Sequence, residues 1–572
     1  LQGNTSATFK DTSGTTVLSL TGLTGTTGYS VHMMPGGNIW RSVNATGNLI
    51  SGGGVYGRIQ KINLNKTILW DWTYTSSTYV LHHDFCPLPN GNVLLICYDV
   101  HTVAEMAAVG ISSGVNVQFE KIIEVKPTGP TTGTIVWEWR IWDHLCQTSN
   151  SSLSNYVTSA VNNPQLLSMS NVTVSKDFIH SNGIDYNEEL DQIVFSSHFL
   201  HEWYIIDHST TTAEAATHSG GISGKGGDFL YRWGNPANYG ATGTKIFNVL
   251  HDAHWVPKGY PREGSIVAIN NGGLSGPNQS TIDWAKPTLN GYLYSYTPGT
   301  ALPPSTFDKR LLTGAYTSNE GGSVQFPNGN TQVTLAFAGT LQIKEFDSTG
   351  TKLWEYTSGQ IAQSDRFTTC EMDTNSVRAY FDTFTYMKCP GGSPITLTAK
   401  TIKGNGTNTY QWSSYPANGS YGTNASINVN PTSTTTYTVT VTSNSCTFSA
   451  SAIVRINTPS VDAGNNIAIP AGSSALLKAT GASTYVWSNG KTSDTTTVNP
   501  MATTTYYVTG TNSYGCTAID SVVVTVVPKI VIALSASPTK QCNKDSSTII
   551  ANVSGGNGTY TFKWTSIPIG FS

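Results

Sequence analysis

Charge is scarce in this chain. Only 11% of the 572 residues are charged, and 31 basic against 34 acidic side chains leave a net charge of -3. So small and balanced a charge predicts neither a nucleic-acid nor a membrane-surface partner. Lys and Glu are sparse while Gly, Ser, Thr, Asn, Val and Tyr dominate, which favours strands and turns over helices. No apolar run approaches the ~20 residues of a membrane-spanning helix. The chain opens at Leu1 with no Met and no charged-then-apolar leader, which reads as a processed or trimmed start. Cysteine is also thin. Eight residues are few for a disulfide-held mini-protein and ordinary for a large secreted one. Cys86 and Cys97 flank the turn PNGN and either face each other across a hairpin or sit as two small buried thiols.

What is abundant is repetition. NLNKTILWDW, TTGTIVWEWRIW, GGDFLYRWGNP and DSTGTKLWEY each carry a Gly/Asn turn, an alternating strand and a terminal aromatic pair such as Trp70–Trp72, Trp137–Trp139 or Trp354–Tyr356. A period of two puts both aromatics on one face, where packing between neighbouring units buries them. Further strand-and-turn segments, LPNGNVLLICYD, ELDQIVFSSH, GSIVAINNGG and FPNGNTQVTLAF, precede several of these. Four-strand units recurring over more than 300 residues predict an all-β fold with a β-propeller of about six blades in residues 1–388, rather than a two-sheet sandwich.

A second repeat begins near Cys389. NTYQWSSYP, STYVWSNGK and GTYTFKWTS align on Trp412, Trp487 and Trp564, and the first two lead to Cys446 and Cys516. A buried Trp, short alternating strands and a late Cys predict tandem immunoglobulin-like β-sandwich modules over 389–457 and 458–527, with the start of a third over 528–572. If Cys389 pairs with Cys446, Cys516 lacks a mate, and the partner of Cys542 falls beyond Ser572. These modules resemble the immunoglobulin-like repeats of surface and secreted proteins of Bacteroidetes-type bacteria. That resemblance implies a secreted or cell-surface protein of a Gram-negative bacterium, with attachment or self-association through the C-terminal modules.

Histidines precede the inner-strand motif of successive blades. VLHHDFCPLPNGN supplies His82, His83 and Asp84, DFIHSNGIDYNEELDQ supplies His180 and Asn182, SSHFLHEWYIIDHS supplies His198 and His201, and NVLHDAHWVPKG supplies His251, Asp252 and His254. Equivalent positions of successive blades converge at one end of a propeller channel, so histidines distant in sequence become neighbours. A single His is more often structural; recurrence at one repeat position argues for a shared site. His201, His208 and His218 read as surface or loop residues, and Asp84 and Asp252 as orienting groups or turn formers. No HxH or HExxH spacing points to a metal, so no metal ligands and no cofactor are assigned. The Gly-rich STTTAEAATHSGGISGKGGD reads as an insertion between strands, not a phosphate loop.

The blocks DYNEELDQIVFSSHFLHEWYIIDHSTTTAEAATHSGG, GKGGDFLYRWGNPANYG and HDAHWVPKG, flanked by HHDFCPLPNGN, VWEWRIWDH and FPNGNTQV, resemble the arylsulfotransferase family over roughly residues 50–360. The resemblance implies a six-bladed propeller. It also implies sulfuryl transfer from a phenolic sulfate donor to a phenol acceptor through a sulfohistidine, without a nucleotide. It places the nucleophile on His251 and further catalytic roles on His82, His180 and His198; His83, Asn182, Asp252 and His254 are the accompanying substrate-binding candidates. Family members carry Arg where this chain has His198, and tend to carry Ser where it has Gly183. An imidazole keeps a positive charge only when protonated, so a more acidic optimum than that of an Arg-bearing relative is expected. Two alternatives stand beside this one: a structural, adhesive or filament-forming surface protein that uses an altered propeller as scaffold, and a glycan-binding propeller without turnover.

Overall fold

A computed structural model describes the chain apart from residues 1–4, 11–14, 35–36, 274–278, 338–339, 359–376, 382–384, 403–406, 444–445, 538–546 and 566–572 and the single positions 418, 458, 513 and 557. The segment LPNGNVLLICYD makes the tight antiparallel hairpin its turn predicts, Tyr79–Pro87 running back along Val93–His101. Register places Cys86 opposite Leu94 and Cys97 opposite Leu81, so the two cysteines do not face each other, and both are free thiols.

That hairpin opens the second of five four-stranded antiparallel sheets. Their first strands are Thr27–Met34, Tyr79–Pro87, Ser181–Asn187, Leu250–Trp255 and Gly322–Gln325, and each sheet continues strand by strand in chain order. The first strands of consecutive sheets lie side by side. The apolar clusters sit between sheets: Trp40, Trp70, Phe85 and Leu95 join the first to the second, and Ile96, Trp139, Ile193 and Tyr204 the second to the third. Trp203, Trp233, Leu250 and Ile266 join the third to the fourth, and Ile269, Trp284, Val333 and Leu335 the fourth to the fifth. This is the radial packing of a β-propeller: Trp137 and Trp139 are buried between blades and Trp70 is buried beside a half-buried Trp72, whereas Trp354 and Tyr356, expected to be buried as well, are only half-buried. The N-terminal hairpin, Ala7–Lys10 with Thr16–Leu20, packs Leu20 with Met33 and Ile39 of the first sheet, while Lys10 Nζ lies 5.4 Å from the Tyr356 ring of the fifth. Among the described residues the ring therefore comprises five four-stranded sheets and this two-stranded one.

Carboxylates bind blade to blade. Asp84 accepts from the Ile184 backbone N–H (3.3 Å), Asp185 from Trp255 (2.9 Å) and Asp252 from Ser323 (2.7 Å), each linking one inner strand to the next. A backbone donor facing a neighbouring blade would otherwise be left unpaired at a cost of about 1–3 kcal/mol. The two aspartates of the HHD and HDAH motifs thus join sheets.

The described chain divides into two compact units: Leu1–Phe384 with Thr398–Ile427 and Thr436–Ala452, and Thr385–Leu397 with Asn428–Thr435 and Ile453–Ser572. Residues 389–457, expected as one module, are shared between them. In the second unit, Ile467–Pro470, Thr517–Val527, Thr504–Thr511 and Thr484–Trp487 form one sheet, and Ala475–Lys478 with Thr495–Val498 another. Trp487, 1% exposed, lies in the apolar core with Leu477, Val508 and Val522. This is the sandwich that its alternating strands predict. Cys389 forms its disulfide with Cys516, their Cα atoms 5.2 Å apart, and not with Cys446; Cys446 is disulfide-bonded as well. Similarity of the repeats suggested a bond within one module, but proximity selected a partner 127 residues away. Cys542 lies outside the described residues. No helix among the described residues is long and apolar enough to cross a membrane.

Candidate active site

Bulges interrupt four inner strands at corresponding places, between Thr27 and Val31, Leu81 and Phe85, Ser181 and Gly183, and His251 and His254. Beside three of them His83, His180 and Asp252 adopt positive φ of 50°, 53° and 57°, and Glu320, just before the fifth inner strand, one of 61°. Such backbone is costly for residues with a Cβ, and bulges re-aim side chains. Here they gather five imidazoles. Ring centroids follow one another from His82 to His83 (5.2 Å), His180 (4.5 Å), His198 (5.1 Å) and His251 (5.1 Å). All four catalytic candidates and His83 are thus brought together.

Their partners fix which nitrogen carries a proton. His251 Nδ1 lies 2.8 Å from Asn271 Oδ1, and Asn271 Nδ2 donates to the Glu320 carbonyl, which orients the amide. His251 therefore donates through Nδ1 and presents an unprotonated Nε2, which the Glu320 backbone N–H approaches at 3.4 Å. Burial above all lowers the His251 pKa to about 4, so the ring is neutral at pH 7. His180 donates from Nδ1 to Asp177 Oδ2 at 2.6 Å, and Tyr98 donates to the same oxygen at 2.9 Å. Burial would raise the Asp177 pKa, but the hydrogen bond and charge of His180 hold it low.

His82 stands behind the others. It is fully buried, stacked on Tyr98 at 3.7 Å, with Nε2 on Glu120 (2.9 Å) and Nδ1 on His83 Nδ1 (2.9 Å). Both of its nitrogens are engaged by protein, so it acts through His83. Burial, then the neighbouring imidazoles, pushes the His83 pKa well below the usual value. His198 lies between His180 and His251. Burial, then His251 and His180, lowers its pKa to about 3, and its Nδ1 has no hydrogen-bond partner among the described residues. His198 is thus uncharged at neutral pH, so the acidic optimum does not follow from its ordinary titration.

Of the other binding candidates, Asn182 spends its amide on the Leu250 carbonyl (2.7 Å) and the Ser196 hydroxyl (2.8 Å). Asp252 binds Ser323, and His254 Nδ1 bonds the Asp252 carbonyl at 2.9 Å. These three hold the inner strands in register rather than join the chain of rings. His218 is exposed as expected, but His208 is not a free surface residue: it sits between Asp191 (2.8 Å) and Glu124 (3.3 Å). Those charges outweigh its burial and raise its pKa to about 10.

Glu120, Asp177, Asn271, Tyr98 and Tyr29 were not singled out from sequence. Tyr29 packs its ring 4.8 Å from His83 and hydrogen-bonds Glu320, across the first and fifth sheets. One available signal was the run Gly52-Gly53-Gly54. A Cβ on Gly53 would lie 2.2 Å from His180 Cε1, and one on Gly54 2.5 Å from His83 Cγ.

The molecule is a β-propeller with a buried imidazole cluster at the bulges of its inner strands. It belongs to the arylsulfotransferase (ASST) family, whose sequence profile matches residues 4–377. Membership supports an arylsulfotransferase-like function on phenolic substrates. No curated protein matches the chain. Similar solved structures include a protein of unknown function from Bacteroides caccae, at 11% identity and TM-score 0.35, covering 63% of this chain and 94% of that one. Another is a putative 6-phosphogluconolactonase from Bacteroides fragilis, at 14% identity and TM-score 0.30, covering 63% and 78%. A third is the immunoglobulin domains of Down Syndrome Cell Adhesion Molecule, at 15% identity and TM-score 0.18, covering 40% and 31%. None of the three bears on chemistry.

Proposed function

We propose that the propeller moves a sulfuryl group from a phenolic sulfate ester to a phenol through a sulfohistidine on His251, without a nucleotide donor. The observation that carries this reading is the His251–Asn271 bond, which leaves Nε2 unprotonated on a ring that burial keeps neutral. Nε2 attacks the sulfur, the S–O bond to the aryl group breaks, and the departing phenolate takes a proton from His180. The acceptor phenol returns its proton to that base, attacks the sulfur and breaks the S–N bond, which restores His251. His198 turns its unpartnered nitrogen to the sulfate oxygens, whose negative charge favours its protonation. Glu120 and His82 hold His83 in place from behind.

Extracellular location on a Gram-negative cell is part of the same reading, supported by the Cys389–Cys516 disulfide, since such bonds persist in oxidising compartments. We retain the division at 388, 457 and 527 and the attachment role of the C-terminal modules as proposals.

The test is release of a coloured phenol from an aryl sulfate, with and without a phenol acceptor, for wild type and His251→Ala. Acceptor-stimulated turnover that vanishes in the variant is expected. Folded wild type without turnover from pH 4 to 9 would overturn the reading in favour of a scaffold or a binding propeller.

A further inference from the structure

Away from the imidazole cluster, a second group of ligating side chains joins the third sheet's insertion to the second sheet. His144 ends the 3-10 turn Ile141–His144 that follows the strand Gly133–Arg140. His218 and Asp228 lie in the segment between the strands Glu202–Asp207 and Tyr231–Trp233. We propose that His144, His218 and Asp228 hold a divalent transition-metal ion of the Zn2+ class, which pins this segment to the preceding blade. The proposal is independent of sulfuryl transfer.

Both imidazoles turn Nδ1 toward the same carboxylate oxygen, Asp228 Oδ1, at 2.9 Å for His144 and 2.7 Å for His218, and the ligand atoms of all three lie within 4.8 Å of one another. His144 Nε2 lies 2.8 Å from the Ala215 carbonyl, which only accepts, so that nitrogen carries a proton and Nδ1 is the ligating atom. A carbonyl behind the non-ligating nitrogen is the usual support of a metal-bound imidazole. The His144 ring is fully buried and parallel to Trp139, whose Nε1 donates to the Gly227 carbonyl at 2.7 Å. Gly227 is required there, since a Cβ would lie 2.0 Å from the Ala215 oxygen and 2.5 Å from His144 Nε2.

One carboxylate oxygen faces both Nδ1 atoms. An ion at this point takes a lone pair from each imidazole and one from the carboxylate. Bonds of about 2.0–2.2 Å set tetrahedral ligands roughly 3.4 Å apart, so the rings must draw back by about half an ångström. His218, 61% exposed, is free to do so, and the open side leaves room for water as a fourth ligand. Two nitrogens and one oxygen suit Zn2+, Co2+ or Ni2+ better than Ca2+ or Mg2+, which prefer oxygen.

The experiment is calorimetric titration of the chelator-treated full chain with ZnCl2 at pH 7.5, for wild type, His218→Ala and His251→Ala. Wild type and His251→Ala should bind one ion per chain. His218→Ala, altered at an exposed position and checked for an unchanged circular dichroism spectrum, should bind about 10- to 100-fold more weakly. No uptake by wild type would overturn the proposal. So would uptake that His218→Ala leaves within twofold, or uptake lost in His251→Ala instead, which would place the ion in the channel.

Discussion

Asn271 holds His251 through one amide oxygen at 2.8 Å while its nitrogen is tied to the Glu320 carbonyl at 2.7 Å. The second bond fixes the orientation of the amide, and the amide fixes the tautomer of the imidazole. Removing it in Asn271→Ala frees the ring to hold its proton on Nε2. The loss of about 1.5 kcal/mol of orientation corresponds to a turnover roughly tenfold slower, with KM little changed. Steady-state kinetics of the variant provide the check, and an unchanged kcat would remove Asn271 from the mechanism.

Gly53 offers a steric probe of the same site. In Gly53→Ala the new methyl meets His180 Cε1 at 2.2 Å, while Asp177 holds the other side of that ring. We expect at least tenfold lower turnover and a stability loss of about 1–3 kcal/mol. Gly114→Ala, where a Cβ meets nothing within 4 Å, should leave both intact. Parallel denaturation and rate measurements separate the two effects.

In the proposed mechanism the His198 position meets the sulfate charge. Burial keeps this imidazole uncharged at neutral pH, with a pKa of about 3, whereas a guanidinium stays charged. His198→Arg should therefore raise turnover at pH 8 relative to pH 5 compared with wild type. A ratio that does not move would mean that charge at this position does not limit the rate.

Stability should peak near pH 6.5. His251 has a pKa of about 4 in the folded protein against roughly 6.5 unfolded, so below 6.5 the unfolded chain binds the extra proton. Stability falls as pH drops from 6.5 toward 4, by up to about 1.4 kcal/mol per unit for this one group. His208 works in the opposite sense. Its folded pKa of about 10 gives a contribution that is complete below 6.5 and lost as pH rises through 10. Urea unfolding at pH 4.5, 6.5 and 9 tests both limbs. In His208→Gln the alkaline limb should flatten while the acid limb stays.

The turn-and-strand repeats and the period-two aromatics determined the all-β propeller, because alternation and tight turns are local properties of the chain. They also marked His82, His83, His180, His198 and His251, since a residue that recurs at one place in each repeat returns to one place around the ring. Sequence could not show that His82 lies behind His83, that Asp84 and Asp252 join sheets, or that Glu120, Asp177 and Asn271 orient the rings. Apart from the Asp177–His180 pair, three residues apart, these depend on contacts between separate strands or sheets, across tens of residues. The Cys389–Cys516 bond and the meeting of His144 with His218 and Asp228 belong with them. Local pattern fixes which strands form and which faces they bury; which polar groups meet, and so which nitrogen is free to react, is settled only when blades pack.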